Sequence, residues 1–567
     1  MPRWRGGRPR NSAPRRPSAR LISVIGKPLP DPFPLKIQFP ISNKFFSGAI
    51  ETQEQLDGSL DSLRQACEKP LPDPIPLKIQ FPSSRTLLNT MKTNSITRRT
   101  ALRHIAMAAG AALAITCSHQ GVEAASAKKK AAKAASAEAR PNFIVILTDD
   151  QSWVGSSVQI IPDDPRTRSD YFQTPHIERL AAMGMRFTQG YAPAASCCPT
   201  RRAIQTGQTP ARHEYQADRT GWTAAYRKQL NIPRMLKSVD SRYQTAHFGK
   251  WDHRYDELSP HQQSYNFSDG YTGNGNGGSK GSGGPAASPD PKRIDTLTDT
   301  ALHFIERNQA LAKPFYLQVS HYAVHLDIYY NQATFDRVKK LPPGRKHTMP
   351  EFAAMTADLD AGIGRILDKL IELKLLQNTY VILLADNGGR TTIPGAPKSS
   401  EDLNAPLRDG KHSMYEGGLR VPFIVLGPGV KAGSVSTVPV TGTDILPTLA
   451  DLAEYSDPLP GNIDGGSIRA VLHNGGVGVV RRPNPFLVFH QAVDRNPMSA
   501  IRAGDYKLVK TWAKNRLELF DLSKDLSEAT DLSGTMPDKT RELHALLTEY
   551  LKNVGAETRQ TEKSSLD

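Results

Sequence analysis

An α/β fold, with a large and mostly parallel sheet flanked by helices and a smaller C-terminal antiparallel subdomain, is what this 567-residue sequence predicts. Three observations predict it. From Pro141 onward, short continuous apolar runs alternate with amphipathic stretches, the pattern of strands buried on both faces. Polar residues gather just after those runs, where open α/β sheets place their sites. After about Arg481 the rhythm shortens to strand-like segments with no long helix between them.

In chain order, FIVIL (143–147), TAHFG (245–249), FYLQVS (315–320), YVILLA (380–385) and PFIVLG (422–427) are strand-length runs bounded by polar or Gly residues. Between them, HIERLAAMG (176–184), DTLTDTALHFIERN (295–308), TADLDAGIGRILDKLIEL (356–373) and TDILPTLADLAE (443–454) repeat apolar residues at helical spacing. The run DGYTGNGNGGSKGSGG (269–284) predicts a flexible loop. FLVFH, AIRAGDYKLVKTW and RLELFDL supply the antiparallel strands, and a helix near 539–552 follows.

Ahead of this core lie segments of different character. Residues 1–90 are rich in Pro, Arg and Ser, and the stretch 27–40 recurs almost unchanged at 69–82. That composition predicts a disordered or non-native extension; a tandem docking peptide is the other reading. Residues 91–127 have the layout of an export signal: Arg98 and Arg99, an apolar run from Ile105 to Ile115, then small residues for cleavage near Ala125 or Ala127. The paired arginines point to twin-arginine export and a periplasmic or extracellular location. The apolar run is too short to span a bilayer comfortably, and no other stretch reads as an integral membrane segment. Residues 128–140 form a Lys- and Ala-rich linker, 141–480 the main domain, 481–555 the C-terminal subdomain and 556–567 a tail.

A formal net charge of +16 would ordinarily suggest a nucleic-acid partner. Residues 1–140, however, hold 23 of the 72 Lys and Arg but only 9 of the 56 Asp and Glu, so the remainder is close to neutral. No nucleic-acid partner is expected. Of four cysteines, Cys67 and Cys117 fall in the leader, and Cys197 and Cys198 are adjacent, which strains any bond between them. The chain is not a disulfide scaffold.

Thr148-Asp149-Asp150 follows the first predicted strand and Asp386-Asn387-Gly388-Gly389 a later one. Three carboxylates and an amide oxygen make a hard donor set suited to Ca²⁺ or Mg²⁺ rather than Zn²⁺. An Asp-Asp pair alone is more often a helix N-cap than a metal site; two such pairs after two strands favour a shared metal site. In Ser196-Cys197-Cys198-Pro199-Thr200-Arg201, the proline near a helix start leaves free N–H groups and a positive dipole, which suit an anion. By itself the segment is either a buried thiol at a helix cap or a thiol nucleophile.

Cys197-Cys198-Pro199-Thr200-Arg201, completed by Thr206-Gly207, resembles the C-x-P-[ST]-R signature of the type I sulfatases, of the alkaline phosphatase-like superfamily. The likeness runs over roughly 141–530 and includes the tail AIRAGDYKLVK…LELFDLSKDLSEATDL (500–532). It implies that a formylglycine-generating maturation enzyme oxidises Cys197 to formylglycine, whose hydrated gem-diol attacks a sulfate ester and later expels sulfate. It implies Ca²⁺ on Asp149, Asp150, Asp386 and Asn387, and an Arg201 that orients the nucleophile. Lys250, in Gly249-Lys250-Trp251, matches a lysine near the sulfate. His325 in HYAVH (321–325) matches a histidine that contacts the sulfate or the leaving oxygen, and Lys411 in RDGKHSMYEGGLRVP (408–422) a lysine that assists departure. His321 reads as structural. One position departs from the family: the histidine expected after Gly-Lys-Trp is Asp252, followed by His253, and either could serve as the base.

The substrate implied is a sulfated small molecule or glycan. The competing readings are a phosphodiester or phosphonate monoester hydrolase of the same superfamily, and a glycan-binding pseudoenzyme. The full set of expected residues weighs against the latter.

Overall fold

The computed structural model describes residues 140–556 except 214–221, 254–257, 279–283, 394–402 and 493–496. The N-terminal extension with its repeat, the export signal, the linker up to residue 139 and the tail from 557 lie outside the described residues.

Strands β1 (Asn142–Thr148), β2 (Met185–Phe187), β3 (Gln244–Gly249), β4 (Phe267–Ser268), β5 (Phe315–Ser320), β6 (Thr379–Ala385), β7 (Phe423–Leu426) and β8 (Ser434–Ser436) form one sheet. Their order is β8-β2-β7-β6-β1-β5-β3-β4. Every pairing is parallel except the two that β7 makes with β2 and β6. The five strands legible in the sequence are the longer ones. β2, β4 and β8 span two or three residues, too few for a run of apolar side chains to register.

Among the helices that pack on this sheet or beside it are α1 (Pro175–Met183), α2 (Cys197–Thr206), α3 (Ile232–Val239), α4 (Ile294–Ala310), α5 (Pro350–Glu372), α6 (Glu416–Leu419) and α7 (Ile445–Leu452). All seven residues of β1 are buried, and they alternate faces. Ile144 and Ile146 meet α1, α4 and α5; Phe143, Val145 and Leu147 meet α2, α3 and α7. Each fully buried side chain of this kind contributes roughly 1.5–3 kcal/mol, which explains a central strand without one exposed position. α5 begins at Pro350, ahead of the start predicted from periodicity, because Pro at the first helical position costs no hydrogen bond and Phe352 and Met355 join the same core.

A second sheet, β9 (Leu487–Gln491), β10 (Met498–Ala503), β11 (Tyr506–Thr511) and β12 (Arg516–Asp521), is an antiparallel meander. On one face Ile501 and Leu508 pack on α8 (Pro537–Asn553) through Leu543, Leu547 and Leu551. On the other, Phe489, Ala500, Val509 and Phe520 meet Met414, Tyr415 and Leu419, beside Lys411.

The Gly-rich run departs from the expectation of a flexible loop over its described part. The Thr272 hydroxyl donates to Gly249 O at 2.5 Å and accepts from Trp251 N–H at 3.0 Å, tying the run to the end of β3. Small residues that lower the cost of disorder also let backbone approach backbone. Among the described residues no helix is long and apolar enough to cross a membrane.

Candidate active site

Parallel pairing decides which polar residues meet. Thr148 of β1 pairs with Ala385 of β6, so the residues that follow, Asp149 and Asp386, emerge side by side. Asp386 N–H donates to Thr148 O at 3.0 Å, and Asp150 N–H donates to Asp386 Oδ1 at 3.1 Å. From β5, Val324 N–H donates to Asp149 O at 2.6 Å, which fixes the His325 loop over the same edge. β3 ends at Gly249 (φ +92), where a Cβ would lie 2.0 Å from Ser320 O; only glycine lets Lys250 enter so close to β5.

Cations surround the carboxylates. Lys250 Nζ lies 2.7 Å from Asp149 Oδ2 and Lys411 Nζ 2.5 Å from Asp150 Oδ1, all four groups buried. Arg201, on the second turn of α2, donates through Nε and Nη2 to Asp386 Oδ2 at 3.0 and 2.6 Å, and through Nη1 to Lys250 O at 2.5 Å. One guanidinium thus braces a carboxylate and the strand-end that carries a lysine. His325 Nδ1 bonds Leu326 O at 2.7 Å, and a carbonyl only accepts, so the proton sits on Nδ1. Nδ1 therefore keeps its proton in either charge state, and Nε2, 3.7 Å from Asp150 Oδ2, is the nitrogen that takes up or gives away the second one.

The electrostatics follow from burial and charge. Burial would raise Asp149 and Asp150, yet both stay below the usual carboxylate range: Lys250 and His325 outweigh it at Asp149, Lys411 and His325 at Asp150. Asp386 goes the other way, to about 6, through burial and the Asp149 charge against the pull of Arg201. Lys250 and Lys411 are raised against the cost of burial by Asp149 and Asp150 respectively. Cys197, at the first position of α2, is pushed up to about 12 by burial. A thiol so raised is no ready thiolate nucleophile at neutral pH.

The donor set fits a hard cation. Asp149 Oδ1, Asp150 Oδ2 and Asn387 Oδ1 are buried with no hydrogen-bond partner, a costly state for three oxygens in one place unless a cation compensates them. Among the described residues, Asp149, Asp150 and His325 can bring ligand atoms within 4.8 Å of one another. Asp386 is less free than the sequence suggests, since Arg201 and the Asp150 N–H engage its oxygens.

Of the residues singled out in the sequence, Cys197, Arg201, Lys250, Asp252, His325, Lys411, Asp149, Asp150, Asp386 and Asn387 come together. Asp252 adopts φ +50 and brings Oδ2 to 3.7 Å from Lys250 Nζ. His253 turns into the packing, its ring stacked on Trp251 at 3.7 Å and its carbonyl accepting from Arg202. His321 is fully buried. Two contributors escaped the sequence reading. Thr272 sits in a Gly-rich run that signals only flexibility, and Glu416 is visible only as a Glu–Arg pair four apart in YEGGLR.

Comparison with known proteins gives a consistent result. The model of the family described as Sulfatase matches residues 141–455, more than half of the chain, and that of the C-terminal region of N-sulphoglucosamine sulphohydrolase matches 409–557. A sulfatase of Formosa agariphila is 28% identical over 71% of this chain and 86% of its own length. The N-acetylgalactosamine-6-sulfatase of Sus scrofa is 27% identical over 70% and 76%. The crystal structure of Ps i-CgsB superposes with a TM-score of 0.60 at 22% identity, over 73% of this chain and 93% of that one.

Proposed function

Because the chain belongs to the sulfatase family and is a sulfuric ester hydrolase, we propose that it cleaves sulfate monoesters of carbohydrates at a site built on Cys197. The observation that carries this reading is the convergence of three buried, unpartnered oxygens and two buried lysines within electrostatic reach of Cys197.

Formylglycine, made from Cys197 by a formylglycine-generating enzyme, supplies a nucleophilic oxygen where the buried thiol cannot. A Ca²⁺ held by Asp149, Asp150, Asp386 and Asn387 supplies Lewis acidity toward the ester oxygens. Around these groups the chain's own residues divide the work. Lys250 and Lys411 hold positive charge where the ester oxygens gather, in a buried site where each charge counts for more than in water. His325 delivers a proton to the leaving oxygen through Nε2, with Nδ1 held by Leu326 O. Arg201 keeps Asp386 and the Lys250 backbone in place. Asp252, rather than His253, accepts the proton that precedes sulfate release, because its carboxylate faces Lys250 while His253 stacks on Trp251.

A carbohydrate substrate is supported by the relative that acts on N-acetylgalactosamine-6-sulfate, as its name states. The twin-arginine layout at 91–127 adds a periplasmic or extracellular setting, where sulfated polysaccharides are met. The catalytic domain runs over 141–480 and the C-terminal subdomain over 481–555.

The test is co-expression with a formylglycine-generating enzyme, then mass analysis of the tryptic peptide containing Cys197 and aryl sulfate kinetics with and without chelator. The expected result is a mass loss of about 18 Da, from exchange of a thiol for an aldehyde, with turnover that follows conversion and Ca²⁺. Full conversion without sulfate release, or a strong preference for an aryl phosphate diester, overturns the reading.

A further inference from the structure

At the C-terminal sheet, two of the buried ionisable residues that the chemistry above does not use are Lys507 and Glu528. Lys507, on β11, and Glu528, after β12, have fully buried side chains. They meet Glu416, the first residue of α6, five positions beyond Lys411. Lys507 Nζ lies 2.8 Å from Glu416 Oε1 and 2.9 Å from Glu528 Oε1. Glu528 Oε2 accepts from Glu416 N–H at 2.6 Å. The other oxygen of Glu416 accepts from Arg420 Nε at 2.6 Å and from the Tyr191 hydroxyl at 2.8 Å. Such a cluster is expensive to bury, and replacing it by apolar residues would often stabilise a protein, so its presence asks for a purpose beyond stability.

Its position supplies one. On the other side of Lys411, Arg408 Nη1 donates to Glu528 O at 3.1 Å, and its guanidinium lies over the Tyr415 ring at 3.7 Å. The Tyr415 hydroxyl in turn donates to Glu518 of β12. Gly417 N–H donates to Arg408 O at 2.9 Å and closes the base of the loop. From that closed loop, Lys411 N–H donates to Gly389 O and Gly388 N–H donates to Gly418 O, both at 2.9 Å. Lys411 and the Asp386–Asn387 segment are therefore held by the same loop, and the C-terminal sheet holds that loop on both flanks.

We propose that Lys507 and Glu528 are positioning residues: through Glu416 they clamp the 408–418 loop and so fix Lys411 and Asn387 against Asp150. The inference rests on the assignment of Lys411 and Asn387 made above. It gives a task to the tail motif around Lys507 and Glu528, and it makes the C-terminal subdomain part of the site without contributing a group to it.

The test compares Lys507→Met, Lys507→Arg and Glu528→Gln with the wild type, each full-length and formylglycine-converted. Amide hydrogen exchange over 386–391 and 404–420, calcium chloride titration calorimetry, and kcat and KM for an aryl sulfate are measured below the melting temperature of each variant. Displacement of a reacting group by about 1 Å costs on the order of 10²-fold, so kcat should fall by ~10–100-fold in Lys507→Met and Glu528→Gln. KM should change little, calcium affinity should weaken, and the 388, 411 and 417 amides should exchange faster. Lys507→Arg should recover part of each. Glu528→Gln keeps the size and shape of the side chain and covers the case in which Lys507→Met does not fold. A lowered melting temperature with unchanged exchange, calcium affinity and kcat overturns the proposal. A wild type that folds and binds calcium but turns over no sulfate ester refutes the proposed function instead, while the exchange comparison still decides the clamp.

Discussion

Gly388 offers a sharp test of how tightly the two halves of the site are joined. A Cβ at this position would lie 1.8 Å from Gly417 O and 2.8 Å from Gly417 C, both backbone atoms that no rotamer change can move. Carbon–oxygen contacts sit at about 3.3 Å or more, so Gly388→Ala must drive the Asn387 segment and the Lys411 loop apart by about 1.5 Å. Overpacking of this kind costs roughly 1–3 kcal/mol, which a protein of this size tolerates. The larger effect falls on the reaction. Lys411 and Asn387 both bond Asp150 Oδ1, at 2.5 and 2.8 Å, and both cannot keep that atom once their loops separate. A kcat reduced by ~10²-fold is expected from a misplacement of this size, together with weaker calcium binding. The assay is steady-state aryl sulfate hydrolysis with calcium titration, at a temperature where the variant is folded. Gly461→Ala is the control, since a Cβ there meets nothing within 4 Å. If Gly388→Ala retains wild-type kcat and calcium affinity, the two loops are not mechanically coupled and the account of the site is wrong.

Three further outcomes follow from the same geometry. Arg201→Ala strands the buried Asp386 carboxylate and the Lys250 carbonyl, and should lose about 3–5 kcal/mol in denaturant unfolding; Arg201→Lys, which keeps the charge but not the three-way fork, should recover part, and equal stability of Ala and wild type would contradict the bracing role. Asp252→Asn should lower kcat by ~10²–10⁴-fold, as loss of a general base does, whereas His253→Phe preserves the stack on Trp251 and should keep most turnover; the reverse ranking assigns the base to His253. Asp360 accepts from the His176 and Ile177 N–H groups at the start of α1, and burial pushes its carboxyl up to about 7. The native state therefore binds a proton that the unfolded chain has lost between about pH 4 and 7, so this group's contribution to stability falls as pH rises through that window. Wild type should lose stability relative to Asp360→Asn between pH 5 and pH 8 in urea unfolding; parallel pH profiles would refute it.

Much of the fold was open to inspection in the sequence. FIVIL and YVILLA read as strands because a strand covered on both faces must be apolar at every position, and β1 and β6 are buried throughout. The carboxyl-end location of Asp149 and Asp386 follows from that reading, since a parallel sheet collects its strand ends on one edge. The short strands β2, β4 and β8 were not legible, because two or three residues carry no period. The Gly-rich run misled for a related reason. Composition records the entropy a segment would lose on ordering, not the partner that repays it, and the partner of Thr272 is the distant Gly249–Trp251 turn.

What the sequence alone determined is chemical: a cysteine in a C-x-P-T-R motif, hard oxygen donors after two strands, and cations spaced through the chain between and beyond them. What only the tertiary structure decided is who faces whom. Asp252 and His253 are adjacent in sequence and equally suited to act as a base. The positive φ at Asp252 sends its carboxylate toward Lys250, while the Trp251 indole takes the imidazole of His253 into the packing. Glu416, Lys507 and Glu528 lie up to 112 residues apart and form one buried cluster beneath Lys411. Residue type is local information. The pairing of charges is settled by where the strands end and which loops can close on them, and the sequence specifies that only through the fold as a whole.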